Sequence, residues 1–325
     1  MSKKRVGLSM VRNESDVIET FIRHNLTLLD ELHIVDHNSS DNTREILTLL
    51  KQEEGLPIHI YHYNELEFAP ERILNHMMQH ILNNDADIDY IFPLDADEFI
   101  YCPSREKLNT FLTLIPQDRV GMYTWRGYLP HSTEYDPDFI SHFTDQRKEE
   151  ILTPKVIIPR AIAETCTLTI GSHSVRDKEG KEVQSIVFIG SNNQQFYYWF
   201  INRFNAEFIE TNDLWLGHYP IRSTIQQIKK VLEKSITMVM EKKGYRDSAW
   251  ENQLRDLLAH NLDISLDELR LIAYNYRASD EKQIQVARQQ PLRSTKFALK
   301  YQHLINNDPL PILAKLILDL AEKLR

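Results

Sequence analysis

The sequence predicts an α/β fold, a mostly parallel sheet flanked by helices and followed by a helical C-terminal part. Three observations carry that reading. Over residues 1–126, short apolar strands alternate with amphipathic helices. The first strands run directly into polar loops. From Thr224 onward, apolar residues recur only at helical spacing.

In order, residues 5–11 read as a buried strand. Residues 17–29 read as a helix: Asp16 and Glu19 make a capping-box-like start, and Ile18, Phe21, Ile22, Leu26 and Leu29 form one stripe. Residues 32–35 are a second strand. Residues 43–52 are a second helix with Ile46, Leu47 and Leu50 inward and Gly55 beyond its end. Strands at 58–63, 90–94 and 119–125 and a helix at 71–83 continue the alternation. Residues 127–222 carry short strand-like runs (156–159, 168–170, 186–189) and scattered aromatics, and read as irregular α+β at the functional face. Ile225, Ile228, Leu232, Ile236 and Val239 mark a long helix, with others at 250–260, 266–276 and 312–324. The expected division is 1–222, in halves 1–126 and 127–222, followed by a helical region 223–325.

Composition excludes several classes. The 325-residue chain is 42% hydrophobic and 26% charged, which rules out fibrous or wholly disordered sequence. Its net charge of −9 makes it a poor general nucleic-acid binder, so no nucleic-acid partner is expected. Two cysteines, Cys102 and Cys166, cannot build a disulfide framework or a cysteine-rich zinc site. No run approaches the ~20 apolar residues that span a bilayer, and the N-terminal apolar run is too short for a secretory segment. A cytosolic protein is expected.

In parallel sheets, ligands bind beyond the carboxyl ends of the strands. Arg12-Asn13-Glu14 follows the first strand, and Asp36-His37-Asn38-Ser39-Ser40-Asp41-Asn42-Thr43 follows the second. Neither loop has the glycine pattern of a dinucleotide site or a phosphate loop. Each either caps its helix or receives a nucleoside, whose base N–H and ribose hydroxyls a carboxylate can accept. The fourth strand leads into Leu94-Asp95-Ala96-Asp97-Glu98. Like charges so close are costly unless they share a cation. In extended backbone Asp95 and Asp97 point to one side, where they could grip Mg²⁺ or Mn²⁺.

Together these motifs resemble the GT-A glycosyltransferases of the family 2 and family 92 kind. The likeness covers residues 5–126 and continues through Pro154-Lys155-Val156-Ile157, Gly171-Ser172-His173 and Gly217-His218-Tyr219-Pro220-Ile221-Arg222-Ser223. The resemblance implies a Rossmann-like nucleotide-sugar-binding sheet and transfer of a sugar from a nucleoside-diphosphate sugar, with a UDP-sugar favoured. A glycan or glycoconjugate would accept it, with inversion, in surface polysaccharide or glycoconjugate synthesis. It implies Mn²⁺ or Mg²⁺ on the diphosphate, Asp95 and Asp97 at the metal and phosphate, and Arg12, Asn13, Glu14, Asp36, His37 and Asn38 at the nucleoside. One departure is Asp36-His37, where family 2 members commonly have two acidic residues; it bears on the base contact.

His218 is expected to complete the metal shell, with His173 as its rival, and Lys155 and Arg222 to face phosphate oxygens. Glu134, Asp136 and Asp213 are candidates for the base that activates the acceptor. Trp125, Tyr128 and His131 are placed for the acceptor. The run Phe196 to Phe200 reads as core packing rather than a sugar platform, the pair His76 and His80 as surface, and Lys229, Lys230 and Lys234 as a solvated helix face. The last helix reads as packed on the body, with peripheral contact at the inner face of a membrane as the alternative. The rival functions are a sugar nucleotidyltransferase and an inactive GT-A scaffold that binds a glycan or a protein.

Overall fold

The computed structural model describes residues 3–64, 69–148, 151–190, 197–240, 249–276, 283–289, 291–293, 296–305 and 308–310, with Leu313 and Ile317. Most of the predicted last helix, and Phe196, lie outside them. The first half alternates as expected: β1 (Lys4–Val11), α1 (Ile18–Asn25), β2 (Glu31–Asp36), α2 (Thr43–Gln52), β3 (Ile58–His62), α3 (Pro70–Asn84) and β4 (Ile88–Pro93). Two elements then appear that the alternation did not predict, β5 (Glu98–Tyr101) and α4 (Arg105–Thr113), before β6 (Val120–Gly127). Only three apolar residues follow the acidic turn into β5, too few to show a period. The Ser104 hydroxyl starts α4 by accepting from the Lys107 N–H at 3.1 Å.

The middle of the chain is more regular than its sequence. It contains α5 (Phe139–His142), β7 (Asp145–Arg147), β8 (Ile151–Pro159), α6 (Arg160–Ala163), β9 (Thr167–Leu168), β10 (Val175–Arg176), β11 (Ser185–Ile189), α7 (Tyr197–Phe204), β12 (Glu207–Glu210) and β13 (Trp215–His218). After it come α8 (Thr224–Met240), α9 (Ala249–Ala259), α10 (Leu266–Asn275) and β14 (Val286–Arg288).

The main sheet is ten-stranded, in the order β12-β11-β6-β8-β4-β1-β2-β3, with β13 pairing both β6 and β5. β1 is parallel to β2 and β4, and β2 to β3. β8 runs antiparallel between β4 and β6. So β8, β11, β12 and β13 extend the sheet rather than forming a separate insertion.

Each face of the sheet carries its own core. On one, Phe21 and Ile22 of α1, Leu47 and Leu50 of α2, and Leu108 and Phe111 of α4 are buried together. On the other lie Met77, Met78 and Ile81 of α3 with Phe200 and Phe204 of α7. Of the aromatic run, Phe200 is core and Tyr197 and Trp199 pack against it, as the sequence suggests. β1 shows why the two cores stay apart: Val6 and Leu8 face α3, and Gly7 faces Leu29 and Leu32 of the other core. A Cβ on Gly7 would lie 2.3 Å from Leu32 Cδ2 and 3.0 Å from Leu29 Cδ1, so these two leucines pack close only because none is there. A third core joins Ile228 and Val231 of α8 to Leu257, Leu269 and Tyr274. Among the described residues, no helix is long and apolar enough to cross a membrane.

Candidate active site

The loops after β1 and β2 are built as one unit. Asn13 and Asn38 both adopt left-handed backbone, with φ of 55° and 53°. Asparagine tolerates this better than most residues. The Asn13 side-chain oxygen accepts from the Ser40 N–H at 2.8 Å and the Asp41 N–H at 3.3 Å. The Ser39 hydroxyl accepts from the Asn13 N–H at 3.0 Å, and the Thr43 hydroxyl from the Glu14 N–H at 2.8 Å. Asn13, Asp41 and Thr43 thus lock the two strand ends together. Asp36 is fully buried; its carboxylate accepts from Arg44 Nε at 2.8 Å and from the Ser39 N–H at 3.2 Å. The buried His37 ring stacks on Tyr63 with centroids 5.8 Å apart.

Asp95 and Asp97 do not sit in extended backbone. The chain turns there, closed by the Glu98 N–H on the Asp95 carbonyl at 3.1 Å, and the two carboxylates take different neighbours. β5 then pairs antiparallel with β13, so that His218 lies opposite Glu98 and the Tyr219 N–H donates to the Asp97 carbonyl at 3.0 Å. This register brings His218 Nε2 to 3.7 Å from Asp97 Oδ2. The imidazole is buried, stacks on Trp125 at 4.2 Å, and has a buried Nδ1 with no hydrogen-bond partner among the described residues. Burial pushes its pKa down to about 4, so it is neutral. Burial would raise the pKa of Asp97, but Lys230, His218 and Arg222 outweigh it and hold the carboxyl at about 2.

The cations are equally specific. β8 carries the fully buried Lys155 to Asp95 Oδ2 at 2.9 Å and Glu98 Oε2 at 3.2 Å. Burial would lower its pKa; those two carboxylates raise it instead. Arg222, only 1% exposed, forks onto Asp16 at 2.8 and 3.1 Å and reaches Glu14 at 3.2 Å and the Tyr219 carbonyl at 3.1 Å. Glu14 is pushed up to about 8, chiefly by desolvation, which Arg222 only partly offsets. Lys230 of α8 stands 3.6 Å from Asp97, and Arg12 pairs with Glu233 of α8 at 2.9 Å.

Several of these groups line a cleft of about 250 Å³ at the strand ends. Of the predicted residues, Arg12, Asn13, Glu14, Asp95, Asp97 and Arg222 border it; Asp36, His37 and Asn38 do not. His218 and Lys155 stand behind it, on Asp97 and Asp95. His173 Nδ1 lies 2.9 Å from the Pro154 carbonyl, and the ring meets the edge of Trp125. None of Glu134, Asp136 and Asp213 borders the cleft. Asp136 is taken up by His142 at 2.7 Å, Asp213 by Lys107 at 3.3 Å, and Glu134 is exposed. Among the described residues, the carboxylates lining it are Glu14, Asp16, Asp95, Asp97 and Glu233.

The expectation of a solvated lysine face on α8 is corrected. Lys229, Lys230 and Lys234 line the cleft, with Trp250 and Tyr276. The sequence region expected to be a separate helical part therefore supplies one wall. Trp125 and Tyr128, expected at the acceptor, are buried at 1% and 0% exposure.

Residues 10–171 match the family model described as "Glycosyl transferase family 2". No curated protein matches the chain. Among solved structures it is similar to S. aureus TarS 1-349, at 12% identity and a TM-score of 0.36, over 73% of this chain and 65% of that one. The same fragment in complex with UDP scores 0.36 at 12% identity, over 81% and 72%. A putative glucose-1-phosphate thymidylyltransferase from Bacillus anthracis, in complex with a sucrose, scores 0.33 at 10% identity, over 66% and 88%. Over residues 10–171, then, the chain is similar to the glycosyl transferase family 2 domain.

Proposed function

We propose that the chain transfers a sugar from a nucleoside-diphosphate sugar to an acceptor hydroxyl, with Mn²⁺ or Mg²⁺ held by Asp95, Asp97 and His218. The observation that carries this is the β5–β13 register, which sets a neutral histidine 3.7 Å from a charged aspartate at the edge of the cleft. One ion with bonds of about 2.1 Å can bridge such a pair. A nitrogen donor favours Mn²⁺ over Mg²⁺. The cation supplies Lewis-acid stabilisation of the departing diphosphate. Lys230, Lys229 and Lys234 face the same space and would bind phosphate oxygens as point charges. Arg12, Asn13 and Glu14 would meet the nucleoside, a UDP-sugar by preference. Arg222 holds Glu14 and Asp16 in place rather than touching phosphate. Inversion at the anomeric carbon, and a glycan or glycoconjugate acceptor, belong to the same reading.

A second reading is favoured by the ammonium groups of Lys155 and Lys230, which already stand on Asp95 and Asp97. In it, the lysines stabilise the diphosphate and no metal is needed. Calorimetry with UDP, with and without Mn²⁺, tests both. The first predicts binding that needs Mn²⁺ and is lost in Asp97→Asn. The second predicts binding unchanged by EDTA and lost in Lys230→Ala. Absence of binding to every nucleoside diphosphate under both conditions would overturn the transferase reading.

A further inference from the structure

At the other end of the sheet, three side chains with no part in the cleft converge. Glu31 opens β2, and His33 follows two residues on, on the same face. His59 lies on the edge strand β3, in register with His33. Their ligand-capable atoms lie within 4.8 Å of one another. His33 Nε2 is 3.1 Å from Glu31 Oε1, and His59 Nε2 is 3.7 Å from Oε2. The two imidazoles stack at 4.4 Å with a 13° tilt. Five residues of strand separate Glu31 from Asp36, about 16 Å at ~3.3 Å per residue, so a ligand at the strand ends does not reach this cluster.

Two imidazole nitrogens and one carboxylate oxygen suit a borderline transition ion more than a hard one. The surroundings are built for it. His33 Nδ1 lies 2.9 Å from the Tyr61 hydroxyl, which fixes the ring and gives Nδ1 a partner in either tautomer. Lys4 approaches Glu31 Oε2 at 3.2 Å and also pairs with Asp85, so it keeps a partner when Glu31 turns to an ion. The Glu31 and His33 side chains are 15% and 7% exposed and firmly held, whereas His59 is 48% exposed. That freedom matters, because stacked parallel rings do not aim at one point. His59 can turn its Nε2 towards the space the other two already share.

We propose that Glu31, His33 and His59 form a second metal site, which takes one Zn²⁺ with water in the remaining position and ties edge strand β3 to β2. Zn²⁺ replaces the proton between His33 Nε2 and Glu31. That proton moves to Nδ1, which then donates to the Tyr61 oxygen, so no net charge is lost from the ring.

The test is calorimetric titration of Zn²⁺ into the wild-type chain, His59→Ala and Asp97→Asn, with circular dichroism to check folding. The expected result is one tight zinc equivalent in the wild type and in Asp97→Asn, weakened at least tenfold in His59→Ala. Zn²⁺ should raise the melting temperature of the first two and not of the third. Equal zinc affinity in His59→Ala and wild type would overturn the proposal, as would loss of the tight equivalent in Asp97→Asn or no zinc binding by the wild type. Should His59→Ala not fold, His59→Gln replaces it with the same expected loss.

Discussion

Replacing Arg222 with Met should cost the fold more than any other single change at the cleft. The guanidinium is 1% exposed and spends its donors on Asp16, Glu14 and the Tyr219 carbonyl. Methionine fills much of the volume and offers no proton. The Asp16 carboxylate, 5% exposed, would remain buried without its cation. Breaking a buried pair from one side costs about 3–5 kcal/mol, far more than the pair's net contribution, because the stranded charge has no solvent. Against a total stability on the order of 5–15 kcal/mol, that is a large fraction. Urea unfolding of Arg222→Met, followed by fluorescence, should show the unfolding free energy reduced by about that amount. Arg222→Met combined with Asp16→Asn should recover part of it, since the stranded charge is gone, giving a coupling well above the ~0.5 kcal/mol expected of independent sites. A loss under about 1 kcal/mol in the single variant, or strict additivity in the pair, would show that the fork is not what joins the β1 loop to the start of α8.

Two other outcomes follow from buried groups. His24 donates Nε2–H to the Ile100 carbonyl at 2.8 Å, and burial, with Arg293 adding to it, lowers its pKa to about 4. An unfolded histidine takes its proton near pH 6.5, so between pH 6.5 and 4 the unfolded state holds more protons and stability falls as pH falls. The full loss is on the order of 3 kcal/mol, reached near pH 4; a His24 pKa above 6 by NMR would refute it. Glu19, buried on α1, accepts from the Lys300 and Tyr301 N–H groups at 2.8 and 3.0 Å. Glu19→Ala should release residues 296–305 to hydrogen exchange and proteolysis while the sheet stays protected, and unchanged protection there would count against this docking role.

The sequence made the strand ends visible because their determinants are local. A buried strand, a polar loop and a helix start sit within about fifteen residues in both β1–α1 and β2–α2, and periodicity reads such segments directly. The placement of Asp97 was legible for the same reason. Its partner His218 was legible only through the resemblance. The contact depends on β13 pairing with β5 across more than a hundred residues, and nothing in Trp215-Leu216-Gly217-His218 specifies that register. Lys155 illustrates the converse. Its motif placed it near phosphate, yet β8 enters the sheet antiparallel and points the ammonium at Asp95, sixty residues earlier.

The α8 lysines mark the clearest limit. The stripe of Ile225, Ile228, Leu232, Ile236 and Val239 suggests one buried face and one wet face. In the fold Val239 is 47% exposed, while Val231, Ser235 and Lys229 are buried. The helix is covered on more than one side: it also faces the cleft, lined by Glu14 and Asp16 after β1 and by Asp95 and Asp97 between β4 and β5, and the loop after β2, which carries Asp41. A lysine's long stem allows burial along an apolar wall while its ammonium reaches a distant anion, so spacing alone reads such a residue as solvated. What decides between water and a binding site is the charge opposite, here Asp97 for Lys230 and Asp41, 3.9 Å away, for Lys229. Those carboxylates are buried and must be balanced by something, and α8 supplies the balance that Arg222 alone, already shared between Asp16 and Glu14, does not.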